Sequence, residues 1–273
     1  MNIIVCIKQV PASSNLEIDP DTGTLIREGA ESKMNPFDLF AMEAGLRLKE
    51  RFGGTVTAIT MGPPQAEAVL REAYMMGCDR AVLLSDRVFA GADVLATSYT
   101  LSRGIMTLDK YDLVICGTQS TDGDTAQVGP EIAEFLGIPH VAGVTGIEGL
   151  DGGKSITVTA AGDFHIETLA VGMPCLVSVE KNMYQPRLPS YRLKKTTADR
   201  PVTVLTAEDL PGGGEGAYGL EGSATRVVRV FPPEHHEEHE VFEGGGEELA
   251  DKMYSILAEG RFIPEGTVKD GLD

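Results

Sequence analysis

Apolar positions in this chain follow two rhythms. Before Pro139, short continuous apolar runs alternate with stretches in which apolar residues recur every three or four positions; after it, apolar and polar residues alternate one by one. Residues 2–10 (Asn-Ile-Ile-Val-Cys-Ile-Lys-Gln-Val) are a near-continuous apolar run, the pattern of a central strand covered on both faces. Residues 16–18 and 24–27 flank the turn-rich Asp-Pro-Asp-Thr-Gly and predict a small hairpin after that strand. Asn35 and Pro36 then supply an N-cap and a first-turn proline. The helix they open should run to about Arg51, with Leu39, Ala41, Met42 and Leu46 inward, and Gly53-Gly54 should stop it.

The same alternation predicts strands at 55–61, 81–85 and 113–116, and helices at 65–76, 93–108 and from near Thr125 to near Gly137. Four strand-then-helix units with short turns imply an α/β fold with a doubly wound, mostly parallel sheet. Beyond Pro139, residues 144–150, 155–160 and 165–171 read as an antiparallel extension, closed by a buried strand at 175–179. Residues 181–195 read as a loop. Pro211-Gly-Gly-Gly-Glu-Gly216 is a flexible joint. A strand at 225–231 and a helix at 247–257 cannot bury a core alone, so they predict a C-terminal arm lying on another subunit. The expected division is a domain at 1–210 and a linker and arm at 211–273.

With 273 residues, 42% hydrophobic and 23% charged, the composition is that of a globular protein. A net charge of -18 argues against nucleic acid or an anionic membrane as partner. No apolar run approaches the length of about 18 residues that spans a bilayer. No leader pattern is seen, and a cytoplasmic protein is expected. Cys6, Cys78, Cys116 and Cys175 are widely spaced, which favours buried thiols over a disulfide framework. Against the acidic background, Lys181, Arg187, Arg192, Lys194 and Lys195 stand out. With Leu188, Tyr191 and Leu193 between them they make a candidate partner-binding knob, the alternative being a solvated linker. His235, His236 and His239 lie in a Glu-rich run and are not taken as a metal site; His140 and His165 read as structural.

A doubly wound sheet binds ligands outside the carboxyl ends of its strands. The candidates there are Cys6, Ile7 and Lys8; Asn35 and Asp38; Met61 and Gly62; and Phe89, Ala90, Gly91, Ala92, Asp93 and Thr97. The longest loop adds Gly117, Thr118, Gln119, Asp122, Asp124, Thr125, Ala126, Gln127 and Val128. A strand, a small-residue turn and a helix start suit a phosphate, though an ordinary connection looks the same. There is no Ser-His-Asp order, no metal-ligand cluster, no Walker lysine motif and no G-x-G-x-x-G. The loops look built to hold a ligand that brings its own chemistry rather than to cut or acylate one.

Five ordered motifs add a resemblance. Cys-Ile-Lys-Gln-Val-Pro at 6, Met-Asn-Pro-Phe-Asp at 34, Met-Gly-Pro-Pro-Gln at 61, Arg-Glu-Ala-Tyr-Met-Met-Gly-Cys-Asp at 71 and Gly-Thr-Gln-Ser-Thr-Asp-Gly-Asp-Thr-Ala-Gln at 117 are similar to the beta subunit of electron-transfer flavoproteins. The match runs from Met1 to about Lys195. It implies an adenine nucleotide on Cys6, residues 35–38, Met61 and residues 117–128, and an alpha subunit carrying the redox FAD. Ordinary members hold AMP here. A second group holds a whole FAD, takes hydride from NADH and splits the pair between ferredoxin or flavodoxin and, through the alpha-subunit FAD, an acyl-CoA or other flavin dehydrogenase. This chain resembles that group in Asp86-Arg-Val-Phe-Ala-Gly-Ala-Asp93 and Ala96-Thr-Ser98. Such a protein would oxidise NADH only within a heteromeric complex. The segment at Lys181 resembles the family's dehydrogenase-recognition loop, with Gln185 where Glu is common and Tyr191 where Leu usually anchors. An AMP-type subunit, or a nucleotide-binding regulatory module forming a homodimer, remains the alternative.

Overall fold

The computed structural model describes residues 1–12, 32–108, 110–214, 216–228 and 240–263. The chain divides into two units, Met1–Val230 and Phe231–Asp273. The first is built on a sheet of β1 (Asn2–Cys6), β4 (Thr55–Met61), β5 (Arg80–Leu84), β6 (Leu113–Gly117), β7 (His140–Asp151), β8 (Ser155–Ala161), β9 (Ile166–Gly172), β10 (Cys175–Val179) and β11 (Thr203–Leu205). Their spatial order is β11-β5-β4-β1-β6-β10-β7-β8-β9. All pairs from β11 to β7 are parallel, and β7-β8-β9 are antiparallel. The expected α/β fold with an antiparallel extension is the one observed.

Helices α1 (Pro36–Phe52) and α2 (Glu67–Met76) cover one face, and α3 (Val94–Met106) and α4 (Val128–Leu136) the other. Ile3, Val5 and Ile7 turn toward α1, while Ile4 and Cys6 turn toward α3 and α4, so both faces of β1 are dry. That two-sided burial is why its sequence is continuous rather than alternating. The chain steps outward from β1 through β4 to β5, then returns past β1 to β6. The switch point therefore lies between β1 and β6, with α1 leaving toward one face and α4 toward the other.

Several boundaries differ from the sequence expectation. The first run is cut in two: β1 ends at Cys6, and β2 (Gln9–Pro11) pairs antiparallel with β3 (Ser32–Met34) as a separate ribbon. The hairpin expected at 16–18 and 24–27 lies outside the described residues. α4 begins at Val128 rather than Thr125 because Asp124 and Ala126 sit at φ 54° and 55°, which no right-handed helix accommodates. β10 does not close the extension at its edge; it is inserted, parallel, between β6 and β7. The expected loop at 181–195 contains α5 (Tyr191–Thr196), opened by Ser190, whose Oγ accepts from the Leu193 amide. β11, three residues long, had no visible apolar pattern. Residues 225–228 are not strand, and the remainder of that expected strand is outside the described residues. In the second unit α6 (Gly246–Glu259) matches the predicted helix. No helix among the described residues is long and apolar enough to cross a membrane.

The four cysteines are free and buried, as their spacing suggested. Burial pushes the Cys78 thiol up to about 12 and Cys175 up to about 11. For Cys116, a hydrogen bond with Cys6 and then burial raise the thiol well above its ordinary value. A thiol reagent at pH 8 should therefore find no fast-reacting cysteine in the native protein and 4 after denaturation. Rapid native labelling would contradict the burial.

Candidate nucleotide-binding site

The loops at the switch point are tied into one polar network. Lys8 leaves β1 with its amide donating to Asp38 Oδ2 at 2.7 Å, and its carbonyl accepts from the Asn35 amide at 2.8 Å. Asn35 stands at the N-cap of α1, as expected, but its side chain does not cap the helix. Nδ2 instead donates to the Gln119 carbonyl at 2.8 Å, and Oδ1 accepts from the Thr121 amide at 3.3 Å. Lys8 Nζ reaches across to Asp122 Oδ1 at 2.7 Å and Ser120 Oγ at 3.4 Å. Within the long loop, Gln119 Nε2 donates to Asp124 Oδ1 at 2.6 Å. Thr118 is held from the far side, its amide on the Val179 carbonyl and its hydroxyl on Glu180 Oε1, both at 3.0 Å.

Gly117 is required where β6 meets this network. A Cβ there would lie 2.5 Å from Asp38 Oδ1 and 2.7 Å from the Phe37 backbone carbon, so any larger residue would push the start of α1 off the sheet. Residues 121–127 are exposed, and α4 begins without a side-chain cap on Gln127. Val128 and Gly129 supply the amides of its first turn, Pro130 having none, and with the dipole end they favour an anion.

Asp38 is buried among these groups. Burial pushes its carboxyl up to about 7, against the opposing pull of the Lys8 amide, the Asn35 side chain, the Lys8 charge and the Gly117 amide. A folded-state value above the ordinary 3.8 means that the fold holds this proton more tightly than the unfolded chain does. The contribution is fully present below 3.8 and is lost as pH rises through about 7.

The sequence candidates divide by location. Cys6, Ile7, Lys8, Asn35, Asp38, Gly117, Thr118, Gln119, Asp122 and Asp124 meet at the switch point, Thr125, Ala126, Gln127 and Val128 lead from it into α4, and Met61 and Gly62 end the adjacent β4. Residues 89–93 and Thr97 lie further out, at the end of β5 and the start of α3. The two regions touch where Ser98 Oγ donates to the Val128 carbonyl at 3.5 Å. Ala90 and Gly91 are exposed, but Phe89 points into the core, edge-on to Tyr218 at 5.3 Å. The Asp93 carboxylate is engaged, with Oδ1 accepting from the Ala96 amide and Oδ2 from the amide and hydroxyl of Thr225. The Thr225 contact was not foreseen; nothing local links positions 132 residues apart.

In the basic segment, Leu188 is 87% and Tyr191 70% exposed, while Leu193 is half-buried. Arg187 faces inward. Its Nε and Nη2 grip Glu43 at 2.8 and 3.2 Å, and its Nη1 meets Glu50 at 2.6 Å. Burial alone would raise Glu43, but the bonds from Arg187 and Arg47 outweigh it and hold the carboxyl below its ordinary value. The missed signal was the spacing Glu43, Arg47 and Glu50, which puts one cation and two carboxylates on the same face of α1.

Residues 22–210 match the family model described as the electron transfer flavoprotein domain. The chain is 45% identical over 263 residues to the electron transfer flavoprotein subunit beta of Clostridium acetobutylicum, covering 96% of this chain and 100% of that one. The chain belongs to the electron transfer flavoprotein family, on the beta-subunit side. Within that family it is also 43% identical over 272 residues to the caffeyl-CoA reductase-Etf complex subunit CarD of Acetobacterium woodii (96% and 100% covered). It is 42% identical over 238 residues to the protein FixA of Azorhizobium caulinodans, with 85% of each chain covered.

Two outcomes test this description. The carboxyl carbon of Asp38, followed by NMR, should titrate with a midpoint near 7, and a midpoint in the usual carboxylate range would refute the account of its burial. Arg187→Ala should strip the guanidinium fork from the buried Glu43 carboxylate, leaving it only Arg47 and the residue-187 amide, and lower stability in denaturant titration by about 2 kcal/mol. A loss below about 0.5 kcal/mol, the size of an exposed pair, would show that the fork is incidental.

Proposed function

We propose that the chain is the beta subunit of a two-FAD electron-transfer flavoprotein. It holds FAD with its adenosine and pyrophosphate at the switch point, in a cytoplasmic heterodimer whose alpha subunit carries a second FAD. Bound there, FAD would supply chemistry that no side chain has, namely hydride acceptance from NADH and one-electron release. The acceptors are ferredoxin or flavodoxin and, through the alpha subunit, an acyl-CoA or other flavin dehydrogenase. NADH oxidation belongs to the assembled complex.

The residues fit this group. Asn35 and Lys8 lock residues 119–122 in place, so the open amides at the start of α4 are preorganised for a phosphate. The observation that carries FAD over AMP is the second loop. Exposed Ala90 and Gly91 precede α3, whose Ser98 bonds the Val128 carbonyl at the start of α4, and offer a longer ligand a surface without bulky side chains. The protein's work is to bind and orient, with Asp38 keeping β1 and β6 in register. Tyr191 and Leu188, with Lys195 Nζ 4.9 Å above the Tyr191 ring, form an apolar and cationic knob suited to the dehydrogenase.

The AMP reading is favoured by one feature: the Asp93 carboxylate is spent on Ala96 and Thr225 and so is not free to bond a cofactor. Ligand extraction from the purified heterodimer decides between them. Two FAD per heterodimer are expected; one FAD with one AMP would replace this reading by the second. A flavin-free homodimer would remove both.

A further inference from the structure

The segment after β11 does not simply lead away from the domain. Leu210 is buried in the core beside Phe89, and the Tyr99 hydroxyl donates to the Gly212 carbonyl at 2.7 Å. Tyr218 then inserts between Phe89 and Tyr99, with ring centroids at 5.3 and 5.6 Å. Gly219 follows at φ 57°, so close to the Val88 and Ala90 carbonyls that a Cβ would overlap both. The Leu220 amide donates to the Ala90 carbonyl at 3.0 Å. Ser223 Oγ accepts from the Asp93 amide at 2.9 Å and itself donates to Gly219. Thr225 closes the run with two bonds to Asp93 Oδ2, at 2.8 and 2.9 Å.

The contacts made by Gly219, Leu220 and Ser223 fall on the backbone of residues 88–93, the second loop of the site, and those of Thr225 on the Asp93 carboxylate. A turn rich in Ala and Gly has few side chains with which to fix itself. Here its carbonyls and one amide are bonded by a segment more than 120 residues later, while Asp93 caps α3 with one oxygen and anchors that segment with the other. We propose that residues 216–225 are a strap belonging to the cofactor site: latched on Asp93 by Ser223 and Thr225, it holds loop 88–93 in the shape that retains the flavin-side half of a dinucleotide. Ser223 and Thr225 are positioning residues that act through the loop.

This inference rests on the two-FAD reading, and the experiment separates the two. In the purified heterodimer, Ser223→Ala/Thr225→Val removes both side-chain bonds of the latch and leaves only the main-chain bond from residue 225, without touching Asp93 or any residue of the switch point, and Thr225→Ser keeps both Thr225 bonds. Hydrogen exchange at the Leu220 amide and cleavage within 211–216 by a protease report the strap directly. Flavin release after dilution reports retention, and AMP binding to the flavin-stripped complex reports the switch point. The double variant should exchange and be cleaved faster and lose FAD about ten-fold faster, the scale of losing a hydrogen bond to a charged group. Its AMP affinity should be unchanged, and Thr225→Ser should behave as wild type. Faster exchange with unchanged FAD release would reduce the strap to a packed tail, and unchanged exchange would show that the latch does not hold it; either overturns the proposal. A wild-type complex lacking FAD on this chain would sink the underlying reading, while exchange at Leu220 would still judge the latch.

Discussion

Two adjacent strands that send their helices to opposite faces leave a gap at their carboxyl ends, and in this chain the Asn35 carboxamide spans it. It takes an amide from the long loop on one oxygen and gives its own N–H to a carbonyl two residues earlier, while its backbone is fixed to Lys8. The side chain is 1% exposed, so these bonds form where water cannot replace them and each missing one would leave a buried group unsatisfied. Asp38 and Gly117 depend on that arrangement, since the carboxyl can approach β6 only because no Cβ stands in the way. The opening around α4 takes its shape from this dry polar joint rather than from the exposed residues that line it.

Much of the fold was legible because burial on both faces leaves a direct trace. β4 and the first helix fall where their apolar runs and end signals put them, and Asn35-Pro36 and Gly53 mark the limits of α1. The failures have local causes. Asp124 and Ala126 give no sign in their side chains that the backbone there is left-handed, so the start of α4 was placed too early. β11 is too short and too exposed to show a period. β10 reads as a terminal strand because sequence order says nothing of insertion between two earlier neighbours.

Legibility of the site followed the same division. The switch-point residues were found because topology alone directs attention to the ends of β1 and β6. What each side chain does there was less visible: Asn35 looks like a helix cap and serves as a crosslink, and Arg187 looks like part of a docking surface and serves as a clamp on Glu43. A charged group in an acidic chain draws attention as a recognition element, yet the fork geometry of arginine suits a buried carboxylate equally well. The exposed apolar positions of that segment are Leu188 and Tyr191, which lie close in sequence to the residue that clamps Glu43.

The insertion of β10 also has a consequence for how the chain folds. Residues 140–172 pair as an antiparallel meander of neighbouring sequence, whereas Cys175–Val179 pairs with two strands, β6 and β7, that both precede it in the chain by more than the length of a hairpin. Apart from it, the two parts of the sheet are joined only through the α4 connection. Closing parallel pairs across a long stretch of chain is slow compared with zipping hairpins. β10 is therefore the keystone of the sheet: without it β6 and β7 would each present an open strand edge, the kind of edge at which chains pair with one another.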